Sequence, residues 1–174
     1  MSMAKFAIEQ RLCLSVNPRG TDKEYNHLYL SRVYEPLFQQ VQPLKKLLEI
    51  GVGGGSSIKL WHSYLQLEML IAVESNLEAF NNSLEQNGDN IKLILADAYK
   101  KEVFEKLPND LDIVIDDGPH SYWSLKSVIR SYIPKLRPGG VLVVEDIPEI
   151  EKVLTKLLTS ASWKTLCCSW LIDS

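Results

Sequence analysis

Short apolar runs alternate with segments of helical period along most of the chain. Runs of β-branched and aliphatic residues predict strands, and apolar residues that recur every three to four positions predict helices. The predicted strands are KLLEIGV, MLIAVE, IKLILAD, DIVIDD, VLVVED and TLCCSWLI, and the helices between the first five are SSIKLWHSYLQ, NLEAFNNSLEQN, KEVFEKL and SYWSLKSVIRSYIPKL. Strands that are apolar throughout are typical of parallel sheets buried on both faces. We therefore expect an α/β fold, a three-layer sandwich in which helices cover both faces of a doubly wound, mostly parallel sheet.

Turn and cap residues separate the predicted elements. NGDN at 87–90 and RPGG at 137–140 have the composition of turns that precede a strand, and PEIEKVLTKLLTSA at 148–161 predicts one more amphipathic helix. TDKE at 21–24 is a capping-box pattern, which predicts that the helix YNHLYLSRVYEPLFQQ begins there and closes before Pro43.

The chain is long enough for one domain. It has 174 residues, of which 45% are hydrophobic, and this composition supports one buried core. We expect one structural domain, in which an N-terminal helical segment, 1–43, packs on an α/β core, 44–174.

Charge and cysteine content narrow the classes of function. The chain carries 19 Lys and Arg against 22 Asp and Glu, a net charge of −3, which argues against a nucleic-acid partner. The N-terminal residues are interrupted by charges, and nowhere do about 18 uncharged apolar residues follow one another, so we expect no signal peptide, no membrane partner and a cytoplasmic location. Cys13, Cys167 and Cys168 lack the CxxC spacing of zinc sites and are interpreted as reduced core thiols.

A glycine-rich loop follows the first predicted strand. LLEIGVGGGSS places Gly51, Gly53 and Gly55 where glycine lets the backbone approach a ligand closely. The dinucleotide pattern GxGxxG fails at Ser56, and the lysine of a P-loop is absent. Glu49, still within the strand, would repel a pyrophosphate and suits a ligand with a cationic amino group. The alternative is a tight turn without a ligand.

Two more acids end the next strands. Glu74 closes MLIAVE, where an acidic residue can accept both hydroxyls of a ribose. Asp97 closes IKLILAD, where a carboxylate can accept from the amine of adenine, although a helix cap is the alternative. Together with the glycine loop, these residues predict an adenosine ligand with a cationic tail.

Paired acids end the fourth and fifth strands, Asp116 and Asp117 after one, Glu145 and Asp146 after the other. Neighbouring strands lie about 4.8 Å apart, and two unit charges at 4 Å repel by about 4 kcal/mol at an effective dielectric near 20. No lysine or arginine follows closely in either loop, which leaves protonation of one acid or a bound cation. We favour a divalent cation, Mg²⁺ first, because these hard ions prefer oxygen ligands.

The motifs carry a resemblance to a known family. ExGxGxG with an acid at the end of the second strand resembles a class I S-adenosylmethionine-dependent methyltransferase of Rossmann-like fold. GTDKEYNHLY at 20–29, DDGPH at 116–120 and VVED at 143–146 are similar to the metal-dependent macrolide sugar O-methyltransferases and to cephalosporin hydroxylase-like proteins. In those relatives the loop reads DDGSH, and Pro119 replaces the serine here.

The resemblance implies a set of functional residues. Asp117, Glu145 and Asp146 would hold the cation, and His120 would be the catalytic base beside Asp117. The S-adenosylmethionine site would comprise Glu49, Gly51, Val52, Gly53, Gly55, Glu74, Ser75, Asp97, Ala98 and Asp116. The residue-level argument for His120 is its titration near neutral pH beside carboxylates, and the alternative is an ordinary loop histidine. The roles of Lys23 and His27 stay open between a lid over the cofactor and the capping box.

The predicted reaction is metal-assisted methylation of a hydroxyl on a small molecule or sugar, with a vicinal diol as the best fit. A methyltransferase of nucleobase amino groups is the rival enzyme, but its [DN]PP[YF] motif is absent. A cofactor-binding module without catalysis is the alternative from another class. The chain stops soon after the sixth strand, so the seventh strand of relatives is not expected in it. A truncated sequence, a minimal fold, and a partner such as a second copy that completes the sheet are the three explanations left open.

Overall fold

The sheet has the predicted parallel, doubly wound topology. The computed structural model describes residues 1–25, 28–84 and 88–147, and the backbone of 165–168. Within these ranges six parallel strands form one sheet in the order β3-β2-β1-β4-β5-β6. The strands are β1 Lys46–Ile50, β2 Met69–Glu74, β3 Ile91–Leu95, β4 Leu111–Asp116, β5 Leu136–Glu145 and β6 Thr165–Cys168. The order reverses between β1 and β4, and ligands of such sheets bind at this switch point.

Helices connect the strands, mostly where the periodicity predicts them. They are α1 Met3–Glu9, α2 Glu35–Gln40, α3 Ser56–Tyr64, α4 Leu77–Ser83, α5 Lys101–Phe104 and α6 Tyr122–Tyr132. A π-helical turn, Leu30–Tyr34, leads into α2, and a 3₁₀ turn, Ile133–Lys135, follows α6. Ser121 caps α6 through a reciprocal bond with Ser124. The predicted helix at 148–161 lies outside the described residues.

Two hydrophobic cores, one on each face of the sheet, confirm the three-layer architecture. Successive strand side chains point to opposite faces, so Leu47 belongs to one core and Leu48 to the other. The first core packs the N-terminal helices and α3 on the sheet, with Trp61 fully buried. The second packs α6 on the opposite face. The N-terminal helices therefore pack on the same face of the sheet as α3.

The helical segment before Pro43, the π-helical turn and α2, begins later than the sequence predicts. Residues around Lys23 form a turn, in which the Tyr25 N–H donates to the Asp22 carbonyl at 2.9 Å. The Glu24 carboxylate accepts from the Ser31 N–H at 3.0 Å and the Ser31 hydroxyl at 2.9 Å. The predicted start at 21–24 is wrong, because Glu24 bonds to the first turn of the π-helical segment and not to a helix that begins beside it.

RPGG at 137–140 does not precede a strand but lies within β5. Leu136 pairs with Leu111, and the next pair of this ladder joins Ile113 to Val141, so 137–140 form a bulge. Gly139, with φ of +80°, supplies the left-handed turn of the bulge. The bulge also places Arg137 beside Asp112.

Asp112 joins three segments at the amino end of the sheet. Its Oδ2 accepts from the N–H groups of Lys45 and Lys46, both at 2.7 Å, and its Oδ1 accepts from Arg137 Nε. Burial opposes the charge, but the hydrogen bonds from Arg137 and the two backbone N–H groups lower the pKa of Asp112 overall. The ionised carboxylate therefore stabilises the fold.

Replacing Asp112 by asparagine should cost about 1.5–3 kcal/mol, since the amide keeps an acceptor but loses the charge-assisted bonds. The pKa of Asp112 is lower in the folded protein, so its contribution is complete above the unfolded-state pKa of about 4 and disappears as the pH falls below it. Urea denaturation at pH 7 and pH 3 measures the difference from wild type. A difference that stays constant between these pH values would contradict this assignment.

No helix in the described part of the chain is long and apolar enough to cross a membrane. The cytoplasmic location stays a prediction. Cys13 is buried and unpaired, as the interpretation as a core thiol requires, and burial, with the nearby Glu24 carboxylate, raises the pKa of its thiol to about 11.

Candidate functional site

A cleft of about 650 Å³ opens at the carboxyl ends of the central strands, at the switch point. The glycine loop, the ends of β2 and β3, and the loop after β4 form its walls. Its lining residues are Ile50, Gly51, Gly53, Val73, Glu74, Ser75, Asn76, Ala79, Ala96, Asp97, Ala98, Tyr99, Asp117, Gly118 and Pro119. The structure thus brings together most of the residues predicted to bind the cofactor.

The start of the glycine loop touches the loop after β4. Gly51 has φ of +77°, and a Cβ on it would lie 2.2 Å from the Asp117 carbonyl oxygen. The Asp117 N–H in turn donates to the Ile50 carbonyl at 2.9 Å. Only glycine fits this conformation and contact. The contact holds the start of the glycine loop against the loop after β4. Gly55 does not line the cleft but precedes α3 as its N-cap, with φ of +81°.

Glu74 holds the glycine loop from the end of β2. Its Oε2 accepts from the N–H groups of Val52 at 3.0 Å and Gly53 at 3.3 Å, and its Oε1 accepts from the Asn76 N–H at 2.8 Å. Glu74 is 8% exposed and lines the cleft. A carboxylate fixed in this way keeps lone pairs for a bound ribose.

Replacing Glu74 by glutamine should weaken S-adenosylmethionine binding about 10- to 100-fold, because hydrogen bonds to a charged acceptor contribute about 1.5–3 kcal/mol. Isothermal titration calorimetry measures the change in Kd. The matched control is Glu78→Gln, since Glu78 is an exposed acid in the first turn of α4. Equal affinities of the Glu74 variant and the control would remove Glu74 from the cofactor site.

Asp97 and Asp116 have different surroundings. Asp97 is exposed in the cleft wall, and its Oδ1 accepts from the Tyr99 N–H at 2.9 Å, a local cap bond. Asp116 is 3% exposed and does not line the cleft, since its Oδ1 accepts from the Tyr99 hydroxyl at 2.6 Å. Burial raises the pKa of Asp116 to about 6 against the opposing Tyr99 bond. Tyr99, which the sequence argument missed, therefore stands between Asp116 and the cleft.

Glu49, predicted to bind the cofactor, does not line the cleft. It is fully buried among the N-terminal helices, and its Oε2 accepts from Trp61 Nε1 at 2.8 Å. Its Oε1 has no hydrogen-bond donor in the described residues and faces Lys23 Nζ at 3.5 Å. The structure therefore does not bring Glu49 to the cofactor cleft.

Lys23 is the cation among the acids. Its Nζ donates to Glu145 Oε1 at 2.6 Å and to Asp117 Oδ2 at 2.7 Å. The lysine side chain is 1% exposed. The Tyr34 hydroxyl also donates to Glu145 Oε1. The sequence left protonation of one acid or a bound cation as the counter-charge, and the structure supplies an internal ammonium instead.

The electrostatics of this cluster follow from burial and pairing. Burial would lower the pKa of Lys23, but the carboxylates of Glu145, Asp117 and Glu49 raise it well above its ordinary value. Burial raises the pKa of Glu145 to about 8 and that of Glu49 to about 7, against the opposing effect of Lys23. Lys23 is thus charged, and it keeps the pKa values of both glutamates lower than burial alone would.

His120 and Asp146 lie at the mouth of the site, both in left-handed backbone conformations with φ of 50° and 54°. His120 Nδ1 is 3.1 Å from the Glu145 carbonyl oxygen. Because that carbonyl only accepts, Nδ1 carries the proton and Nε2 keeps its lone pair. His120 Nε2 is 3.8 Å from Asp117 Oδ1. The Tyr29 hydroxyl donates to Asp146 Oδ1 at 2.7 Å.

The residues fit a small cation in part. Asp117, His120 and Asp146 each offer one ligand atom, and these atoms lie within 4.8 Å of one another. This spacing suits a hard divalent ion. The predicted ligand Glu145 is not in this group, since its side chain is 2% exposed and paired with Lys23.

Periodicity and spacing alone did not identify several residues of the site. Lys23 and Tyr29 belong to the GTDKEYNHLY motif, so the resemblance could have pointed to them. Tyr34 and Tyr99 look like ordinary core aromatics by their spacing. His27 lies outside the described residues.

Known proteins are similar to this chain in sequence and in fold. The chain is 28% identical over 139 residues to the 8-demethyl-8-alpha-L-rhamnosyl tetracenomycin-C 2'-O-methyltransferase of Streptomyces olivaceus, covering 74% of this chain and 35% of that protein. It is 29% identical over 112 residues to the mycinamicin VI 2''-O-methyltransferase of Micromonospora griseorubida, covering 59% of this chain and 27% of that protein. The chain thus spans about a third of the length of these relatives.

The fold and the family follow from two further comparisons. The fibrillarin of Aeropyrum pernix, solved with natively bound S-adenosyl-L-methionine, matches with a TM-score of 0.55 and 20% identity, over 69% of this chain and 58% of that chain. This likeness shows the Rossmann-like fold. The family described as Methyltransferase domain matches residues 48–147. Since this range covers more than half of the sequence and contains the cleft and the acidic loops, the chain belongs to the Methyltransferase domain family.

Proposed function

We propose that this chain is an S-adenosylmethionine-dependent O-methyltransferase that acts on a hydroxyl of a sugar or another small molecule. The observation that carries the proposal is the continuity of the cleft. Glu74 and Asp117 both line this single space, and Asp117 Oδ1 lies 3.8 Å from His120 Nε2. The two curated relatives named above are O-methyltransferases of sugar-bearing compounds, which supports a glycoside acceptor.

The cofactor would lie along the cleft. Asp97 and Ala98 would hold the adenine, Glu74 and Ser75 the ribose hydroxyls, and Gly51 with Gly53 would leave room for the cationic tail. When bound, S-adenosylmethionine supplies a methyl group on a sulfonium centre. The anionic wall of the cleft favours that positive charge.

His120 would be the catalytic base. Its Nε2, with a free lone pair, accepts the proton of the acceptor hydroxyl while the new C–O bond forms and the S–C bond breaks. Asp117 then stabilises the imidazolium. Positioning of the hydroxyl in line with the methyl group supplies much of the remaining rate.

A divalent cation, Mg²⁺ first, would be held by Asp117, by Asp146 and by oxygen atoms of the acceptor. Such an ion, when bound, lowers the pKa of a hydroxyl that coordinates it. Vicinal hydroxyls of a sugar would fill two open positions, which favours a diol acceptor.

The test is methyl transfer from S-adenosylmethionine to methyl α-L-rhamnopyranoside and to rhamnosyl tetracenomycin, followed by mass spectrometry. We expect methylated product with Mg²⁺, loss of turnover in EDTA, and recovery when Mg²⁺ is restored. Full turnover after thorough chelation would contradict the role of the metal. No product on either glycoside would contradict a sugar acceptor.

A cofactor-binding module without catalysis is the second candidate. The position of Lys23 favours it, because the ammonium donates to carboxylate oxygens of Asp117 and Glu145, which the family resemblance assigns to a metal. This candidate predicts that S-adenosylmethionine binds in calorimetry while no methylated product appears under any metal condition.

A further inference from the structure

The Glu145 carboxylate faces the protein interior rather than the cleft. Two donors converge on its Oε1, the Lys23 ammonium at 2.6 Å and the Tyr34 hydroxyl. Glu145 is 2% exposed, and Tyr34 is fully buried in the first core, which contains the N-terminal helices. Its charge is therefore already compensated by residues of the N-terminal segment.

Asp117 presents its two oxygens to different partners. Oδ2 accepts from Lys23 Nζ at 2.7 Å, whereas Oδ1 faces His120 Nε2 at 3.8 Å. Asp146, in contrast to Glu145, is exposed and lies at the mouth of the site. The outer oxygens belong to Asp117 and Asp146, and the inner ones to Glu145 and to Oδ2 of Asp117.

The inner position is closed to a second cation. A divalent ion on Glu145 would stand beside the Lys23 ammonium and repel it, since both would share the same oxygens. Lys23 cannot move aside into solvent without leaving Glu49, Asp117 and Glu145 buried without a counter-ion. The acidic cluster thus has two parts. In the inner part, Glu145 and Asp117 Oδ2 pair with Lys23, and in the outer part, Asp117 Oδ1 and Asp146 are open to an ion.

We propose that Lys23 is a resident cation that replaces a metal at Glu145, so that a divalent ion is confined to Asp117 and Asp146 at the mouth. Glu145 is then a positioning residue that holds Lys23 and, through it, Asp117. This inference rests on the proposed function for the presence of a cation, and it changes the ligand set that the family resemblance implies.

The test is a calorimetric titration with Mn²⁺ alone, on the whole chain and without acceptor. The double variant Lys23→Met with Glu145→Gln removes one positive and one negative charge together, so the net charge of the cluster is unchanged. The double variant removes contacts that position Asp117 but, if Glu145 is not a ligand, it removes no ligand atom, so it should weaken Mn²⁺ binding clearly less than Asp146→Asn does. Asp146→Asn should weaken binding at least about tenfold.

Three results would overturn the proposal: a double variant that loses Mn²⁺ affinity as strongly as Asp146→Asn, an Asp146→Asn variant that binds like wild type, and a wild-type protein that takes up no Mn²⁺. Should the double variant not fold, anomalous scattering from wild-type crystals soaked in Mn²⁺ decides the same point. An ion beside Asp117 and Asp146 supports the proposal, and an ion on Glu145 overturns it. The titration involves no methyl transfer, so it fails or succeeds independently of the proposed activity.

Discussion

Replacing Lys23 by methionine is expected to destabilise the folded protein by about 3–5 kcal/mol at neutral pH, because breaking a buried ion pair leaves carboxylates that must either stay charged without a counter-ion or take up protons. Lys23 is 1% exposed and contacts three carboxylates, those of Glu49, Asp117 and Glu145. Methionine keeps most of the length of the side chain but has no charge. Urea denaturation followed by circular dichroism measures the change in the free energy of unfolding.

The matched control is Lys45→Met. Lys45 also forms an ion pair, with Glu68 at 2.5 Å, but both side chains are about half exposed. Exposed pairs contribute about 0–1 kcal/mol, so this variant should remain near wild type. Equal losses in the two variants would mean that Lys23 is not the counter-ion of the acidic cluster.

The loss at Lys23 should depend on pH. Burial raises the pKa of Glu49 to about 7 and that of Glu145 to about 8, although Lys23 opposes this, so its removal raises both further. In wild type and variant alike the folded state binds these protons more tightly than the unfolded chain, in which Glu titrates near 4.3, so both stabilities fall together up to about pH 7. Above that pH the wild-type glutamates ionise beside Lys23 while those of the variant stay protonated, so only the variant goes on losing stability. The destabilisation should be smaller at pH 5.5 than at pH 8, and the opposite order would contradict the assignment.

Replacing His120 by alanine is expected to lower kcat by about 10²- to 10⁴-fold, the usual contribution of a general base. The affinity for S-adenosylmethionine should stay unchanged, because His120 does not line the cleft with the glycine loop and Glu74. The rate is measured with saturating cofactor and glycoside, and the Kd by calorimetry. The bond from Nδ1 to the Glu145 carbonyl, which sets the tautomer, is the structural reason for the size of the effect.

His62→Ala is the matched control for this experiment. His62 lies on α3, and its ring lies beside Gly88, away from the acidic loops. Its removal should leave kcat per folded molecule unchanged. A His120 variant with the same rate as wild type would exclude His120 from proton transfer, and a lost cofactor affinity would indicate a structural role instead.

The strands could be predicted closely, since their signal is local. MLIAVE coincides with β2, and Glu74 is at its end in the cleft, as predicted. The ends of some other elements differ from the predicted ends, because contacts between residues that are distant in sequence set them. The pairing of Leu136 with Leu111 extends β5 through RPGG. Glu24 bonds to Ser31, and the helical segment before Pro43 begins after Glu24 and not beside it.

Glu49 shows where a local argument fails. Its position two residues after Leu47 puts both side chains on one face of β1, and Leu47 packs in the core that contains the N-terminal helices. The sequence does not say which face the N-terminal segment covers. Once that segment lies over Glu49, the carboxylate becomes buried beside Trp61 and Lys23.

The sequence by itself determined the doubly wound sheet, the glycine loop and the meeting of two acidic loops, because periodicity and turn chemistry are properties of neighbouring residues and strands that alternate with helices adopt a known strand order. Only the tertiary structure decided which cation balances those acids. Lys23 is 94 residues from Asp117 and 122 from Glu145 along the chain. Ion pairing acts through space and not along the sequence, so the packing of the N-terminal segment on the sheet, rather than any local pattern, brings the ammonium to the carboxylates.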